Sequence, residues 1–187
     1  MKIRKASQDD QRAILDLERY IFRDMGIELD ENKLVHAYQL AAQQDDRTRY
    51  HFSRALVASQ RENILGVLFA YSNEDEASVD LTFQKILADQ YGYRKPVFPD
   101  RESFEHELYI DSIVVSENAR GQGIGHGLLS AAKEMALSNG EEVLGLNVDL
   151  KNPRAHKLYE GFGFKQAGHV KLLEHNYQHM QLQLSKC

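Results

Sequence analysis

The chain has a single cysteine, Cys187, at its last position. A disulfide framework or a thiolate zinc cluster needs several, so both are excluded. No stretch approaches the ~18 consecutive apolar residues of a membrane-crossing helix. The opening MKIRKASQDDQR has no apolar core of the kind a secretory signal needs. The expectation is therefore a cytoplasmic protein with no membrane partner. Positive charge is not in excess either. A formal net charge of -5 argues against a broad nucleic-acid surface, while leaving room for a local basic pocket. The eight histidines show no His-Glu-x-x-His spacing and have no cysteine partner, so no metal site is expected. His175 and His179 lie four apart in a stretch that reads as strand, where they share a face but lack a third ligand.

What is present is ordinary for a folded domain. Its 187 residues are 42% apolar and 27% charged, enough for one domain over 1–187 with a real core. KIRKA (2–6) reads as a short strand. SQDD then starts a helix carrying Ile14, Leu17 and Ile21, with Gly26 as its end. A second helix is expected from about Glu31 to Gln44. RALVASQ (54–60) and ILGVLFAY (64–71) flank a short polar turn at 61–63 and read as a hairpin. A helical pattern follows from Glu74 to about Gln90. The segment 74–103 has the weakest pattern and reads as a candidate insertion. FEHELYIDSIVV (104–115) is the strongest strand. A helix stripe of Ile124, Leu128, Ala132 and Met135 follows, then the strand VLGLNV (143–148). Asn152-Pro153 opens another helix, with asparagine as cap and proline in the first turn. Two last strands are expected at about 165–173 and 177–184, joined around His175–Asn176. The order is that of a mixed α/β fold.

Between the strongest strand and the helix stripe stands SENARGQGIGHGLL (116–129). A helix N-terminus exposes unpaired N–H groups, and glycines let them approach phosphate oxygens. A Walker A loop would end in Gly-Lys-Ser/Thr, but the chain runs Gly125-His126-Gly127. A dinucleotide fingerprint fails from Gly121, whose sixth position is His126, and from Gly123, whose sixth is Leu128. Arg120, Gly123 and Gly125 do fit Arg/Gln-x-x-Gly-x-Gly/Ala after a long strand.

Here the sequence resembles the GNAT superfamily of N-acetyltransferases, which use acetyl-CoA. Val115 to Leu129 follows the family's V-x-x-x-x-R-G-x-G-I-G-x-x-L-L. Asn152, Ala155, Leu158, Tyr159, Gly163 and Phe164 follow its N-x-x-A-x-x-L-Y-x-x-x-G-F. The specific resemblance covers about residues 104–168. It implies a GNAT-like fold, a mixed and mostly antiparallel sheet with helices on both faces. It also implies acetyl transfer from acetyl-CoA to a primary amine of a small molecule or peptide. A homodimer is a family-level expectation only.

The resemblance implies four roles. The N–H groups from Gly121 and Gln122 through Gly123, Ile124, Gly125 and His126 to Gly127 would hold the CoA pyrophosphate, with Arg120 at the entrance. Ile113, Val114 and Val115 would offer free backbone groups to the pantetheine arm, on a strand that splays from its neighbour. Glu107, thirteen residues before Arg120, would be the general base. Asp111, on the same face by strand alternation, would bind the amine or serve as a second base. Tyr159 would protonate the departing thiolate. Asn152 and Ala155 would contact CoA from their helix, and Asn147 would line the cleft. Glu102, Glu105, Glu107 and Asp111 concentrate acid near that cleft, which suits a cationic acceptor. A domain of the same fold that binds acetyl-CoA or CoA without turnover, as a sensor, is the alternative. Another acyl group, such as succinyl, is a third reading.

Overall fold

A computed structural model describes residues 1–24, 27–172 and 175–184. Seven strands form one sheet in the order β1-β2-β3-β4-β5-β7-β6. The strands are β1 (Lys2–Lys5), β2 (Ala55–Gln60), β3 (Asn63–Ser72), β4 (Leu108–Val115), β5 (Val143–Asp149), β6 (Lys165–Leu172) and β7 (His175–Gln183). All neighbours are antiparallel except β4 and β5.

Side chains alternate across this sheet and feed two cores. On one face Val57, Val67, Phe69 and Val114 meet α1 (Gln11–Asp24), α2 (Glu31–Gln44) and α3 (Leu81–Tyr91). On the other face Leu56, Leu68, Ile110, Leu144 and Leu146 meet α4 (Ile124–Ser138) and α5 (Pro153–Phe162). Helices cover both faces, as the resemblance implies. Asp30 caps α2 by accepting from the amides of Asn32 and Lys33, and Asn152 caps α5 by accepting from Ala155 N at 3.1 Å, each satisfying N–H groups that the helix start leaves open.

Several boundaries differ from the sequence reading. The strongest strand begins at Leu108, not at 104. His106 has φ 60° and gives its amide to Asn73 Oδ1, which turns the chain before pairing starts. His175 and Asn176 are already in β7, paired with Leu172 and Lys171. The expected end of the first helix at Gly26 lies outside the described residues. The segment 74–103 contributes Val79, Phe83, Ile86 and Leu87 to the buried interior. Phe83 stacks on Tyr38 of α2, with ring centroids 3.6 Å apart.

Candidate functional site

The parallel β4–β5 pairing ends early. Leu108, Tyr109 and Ile110 face Leu144, Gly145 and Leu146, and beyond that point the two strands separate. Each stays paired on its other side, β4 with β3 to Val115 and β5 with β7 to Asp149. The separation starts at a bulge. Phe69 of β3 faces Ser112 and Ala70 faces Ile110, so Asp111 is the extra residue, and a bulge bends its strand. As a result the end of β4 has one edge on an open wedge; Ser116 N–H donates to Leu65 O, so by alternation along this ladder Val114 bonds Val67 of β3, and the backbone groups of Ile113 and Val115 face the wedge.

A cavity of about 550 Å³ fills that wedge. Its walls include Asp111, Ser112 and Ile113 of β4 and Asn147 and Val148 of β5. Asn152, Ala155 and Tyr159 come to it from α5, and Arg49, Tyr50, Phe98 and Glu102 from loops. The structure thus brings together Asp111, Ile113, Asn147, Asn152, Ala155 and Tyr159 of the residues singled out by sequence. Tyr159 is half-buried, and burial pushes its phenol up to about 12. It therefore keeps its proton at neutral pH.

The glycine loop follows β4 and divides into two kinds of residue. Gly121 and Gly123 have φ 80° and 77°, a left-handed conformation that side chains adopt at a cost. Gly123 caps α4 with no side chain supplying an acceptor, so the first N–H groups of the helix point out uncapped. Gly125 and Gly127 serve packing. A Cβ on Gly125 would sit 3.1 Å from Leu158 of α5, and one on Gly127 would sit 2.5 Å from Ile3 of β1. Gly127 N–H also donates to Gly123 O. It closes the first backbone bond of the helix and is not available to a phosphate. The anion cradle therefore ends at His126, whose exposed ring lies edge-on to Phe162. Arg120 Nε donates to Val115 O at 3.2 Å and ties the loop back to the strand end.

Glu107 is elsewhere. The bulge at Asp111 interrupts the strict alternation that relates the two residues, Glu107 and Asp111; the Glu107 side chain is 0% exposed and does not line the cavity. Oε1 accepts from Phe104 N at 2.8 Å. Oε2 accepts from Gln181 Nε2 at 2.8 Å and meets His179 Nε2 at 3.0 Å. His179, stacked on Phe104, reaches Asn147 Oδ1 through Nδ1 at 2.8 Å. The Asn147 amide donates to Glu102 O and to the Tyr109 hydroxyl, at 2.9 and 3.0 Å. A carbonyl oxygen can only accept, so the asparagine orientation is settled, and with it a proton on His179 Nδ1; a second proton, on His179 Nε2 or Glu107 Oε2, completes the contact between those two. The Tyr109 hydroxyl, already accepting from Asn147, donates to Glu102 Oε2 at 3.2 Å.

Sequence reasoning missed Arg49. Its side chain is 2% exposed, with its guanidinium between the Phe98 and Tyr71 rings, 4.0 and 5.3 Å from their centroids. It forms a fork on Asp80, with Nη2 to Oδ2 at 2.7 Å, and donates through Nη1 to Glu102 Oε1 at 2.9 Å and to Asp111. Arg49 comes from the loop after α2, where no periodicity marks it. The available signal was the surplus of acid around 102–111, which needs a buried cation. One arginine against three carboxylates does not offset the burial of Asp111 and Glu102. Burial raises Asp111, with Asp80 adding to it and Arg49 opposing. Burial likewise pushes Glu102 up to about 7. On α1, Glu18 accepts from the Ser112 hydroxyl at 2.9 Å, and burial together with Asp111 pushes it up to about 8.

Comparison with known proteins follows the same lines. The model of the acetyltransferase (GNAT) family matches residues 18–164. A curated relative, Acetyltransferase Atu2258 of Agrobacterium fabrum, is 41% identical over 61 residues, which are 33% of this chain and 43% of that protein; the match thus spans less than half of the relative's length. Among solved structures, an acetyltransferase superposes with TM-score 0.87 at 33% identity, over 99% of this chain and 100% of its own. An N-acetyltransferase from Staphylococcus aureus Mu50 gives 0.86 at 26% identity, over 97% and 100%. The fold is shared at 19% identity by yncA from Salmonella typhimurium, solved with its cofactor acetyl-CoA (TM-score 0.62, over 100% of this chain and 95% of that one).

Proposed function

Because the chain belongs to the GNAT acetyltransferase family, we propose that it transfers an acetyl group from acetyl-CoA directly to a primary amine of a small molecule or peptide. The observation that carries this reading is the wedge: β4 leaves β5 after Ile110 and runs into a helix whose glycine start leaves its N–H groups uncapped. A strand edge suits an extended pantetheine arm, which pairs with it as a substitute strand. An uncapped helix start suits a pyrophosphate. The two features adjoin, in the order in which CoA carries the two groups. The yncA structure, with acetyl-CoA, lends the donor its name.

In this reading the wedge-facing backbone groups of Ile113 and Val115, apart from Val115 O, which already accepts from Arg120, hold the pantetheine and supply a donor to the thioester oxygen as negative charge develops there. Gln122, Gly123, Ile124, Gly125 and His126 hold the pyrophosphate through backbone N–H groups, with Gly121 shaping the turn. Arg120 adds charge at the entrance. Asn152 and Ala155 border the CoA side of the cavity. Tyr159, neutral at working pH, donates to the sulfur as the C–S bond breaks. Asp111 and Asn147 border the acceptor side.

The test is turnover. The protein, with acetyl-CoA and a panel of spermidine, free lysine and an alanine-ended peptide, is expected to release CoA and leave one amine acetylated, read by mass spectrometry. Tyr159→Phe should lower kcat by about 10²-fold with little change in acetyl-CoA affinity. Full kcat in that variant would remove the acid role from Tyr159.

A further inference from the structure

We infer that Glu102 is the general base that takes the proton from the acceptor ammonium, held for that task by Tyr109 and the buried chain behind it. This rests on the acetyl-transfer reading above.

Access decides among the carboxylates. The Glu107 side chain is 0% exposed, Asp111 3% and Glu102 12%. Glu102 lines the cavity that also holds Tyr159, while Glu107 does not. Each oxygen of Glu102 has one partner, Arg49 on Oε1 and Tyr109 on Oε2. A carboxylate oxygen has two lone pairs, so either can still accept from an ammonium or from a water bridging to it. The group is also held in place. Its carbonyl accepts from Asn147, and its side chain receives the Tyr109 hydroxyl, oriented by Asn147, then His179, then Glu107. Asn147 cannot pass a proton along this chain, so Tyr109, Asn147, His179 and Glu107 are positioning residues. Glu107 thus acts at a distance on the reaction for which the resemblance nominates it as base.

The charges facing Glu102 are mixed. Arg49 and Asp80 face it from loops, and Tyr71, Tyr109 and Asp111 from the sheet. Its own amide is held by Glu76 Oε1. Asp100, Asp149, Lys151 and His175 line the same cavity. Arg49 favours the ionised form, while burial, Asp111 and Asp80 oppose it and win. The result, about 7, is near the optimum for a base working at neutral pH.

The step balances as follows. The ammonium gives one proton to Glu102, which later passes it to solvent. The freed nitrogen lone pair forms the C–N bond with the acetyl carbon as the C=O π pair moves to oxygen, and when that pair returns the C–S bond breaks and its electron pair leaves to sulfur. The second nitrogen proton is shed when the tetrahedral adduct collapses, and Tyr159 supplies its equivalent to the thiolate. The products are the amide, CoA thiol and one released proton.

The experiment is a pH profile on Glu102→Gln and Tyr109→Phe, with the fastest amine of the panel. Wild type should show an acidic limb in kcat/KM near pH 7. Glu102→Gln should lose that limb and about 10²-fold in kcat, with acetyl-CoA affinity by calorimetry within about twofold. Tyr109→Phe removes a donor to the ionised form, so its limb should move to higher pH, a shift that a purely structural role would not produce. If Glu102→Gln does not fold, Glu102→Asp replaces it. A titration by ¹³C NMR of labelled glutamate, which needs no acceptor, should show a carboxyl with midpoint near 7 that the variant lacks. An intact limb with kcat within about threefold of wild type in Glu102→Gln, or no such carboxyl, overturns the proposal while the acetyl-transfer reading stands. Absence of acetyl-CoA binding in the wild type would remove both.

Discussion

Gly145 is a glycine on account of Glu107. A Cβ at that position would overlap the Glu107 carboxyl, which lies across β5 to reach His179 and Gln181. Gly145→Ala should therefore cost about 1–3 kcal/mol through overpacking, measured by urea unfolding. His179→Ala should cost more, about 3–5 kcal/mol, because it strips a fully buried carboxyl of a partner. If both variants are as stable as wild type, the buried chain from Glu107 to Glu102 does not hold the site together. A sequence that places a glutamate on a strand near a cleft does not say whether it faces the cleft or the neighbouring strand. Here the missing side chain at 145 decides it.

Among the elements, α4 shows how one glycine-rich stretch answers two demands. Gly127→Ala puts a methyl group against the end of the Ile3 side chain, which can shift. The expected cost is about 1 kcal/mol with acetyl-CoA affinity unchanged. Gly123→Ala meets no neighbour, yet forces a side chain into φ 77°. Its cost is again about 1–2 kcal/mol, but here the turn that aims the N–H groups is disturbed, and acetyl-CoA affinity should fall at least tenfold. Equal affinity losses in the two variants, read by calorimetry, would contradict this division.

For the whole molecule, the displaced carboxyls set the pH response. A carboxyl raised on folding binds its proton more tightly in the native state, so its stabilisation is full below the unfolded value and is lost as pH rises through the folded one. With Glu102 near 7 and Glu18 near 8, stability should fall between about pH 5 and 8.5. Glu18→Gln should flatten the upper part of that fall in thermal melts. Asp10 and Asp45 act in the opposite sense. Arg4 holds Asp10 at about 2, and Arg47 holds Asp45 at about 2, so their contribution disappears as pH drops from about 4 toward 2. A profile still rising to pH 8.5 would contradict the assignment of Glu18 and Glu102.

At the same scale, the parts of the fold built from local signals were legible. The hairpin, the helix capped by Asn152 and the loop–helix junction at 123–124 follow from turn and cap chemistry within a few residues, and the helix at 31 from its periodicity. The early end of the β4–β5 pairing was legible only through the family resemblance, since a bulge at Asp111 depends on strands β3 and β5 distant in sequence. Arg49 and the role of Glu102 were not legible. Arg49 lies in the loop after α2 and Glu102 in the weakly patterned segment 74–103, and the two meet only after folding.

The central claim is that the glycine-started helix α4 and the wedge beside it hold acetyl-CoA. Calorimetric titration of acetyl-CoA into wild type and Gly123→Glu tests it most directly. The predicted result is micromolar binding to the wild type, lost in a variant that still melts cooperatively. Equal binding by both would place the donor away from this loop, and no binding by the wild type would contradict the account at its base.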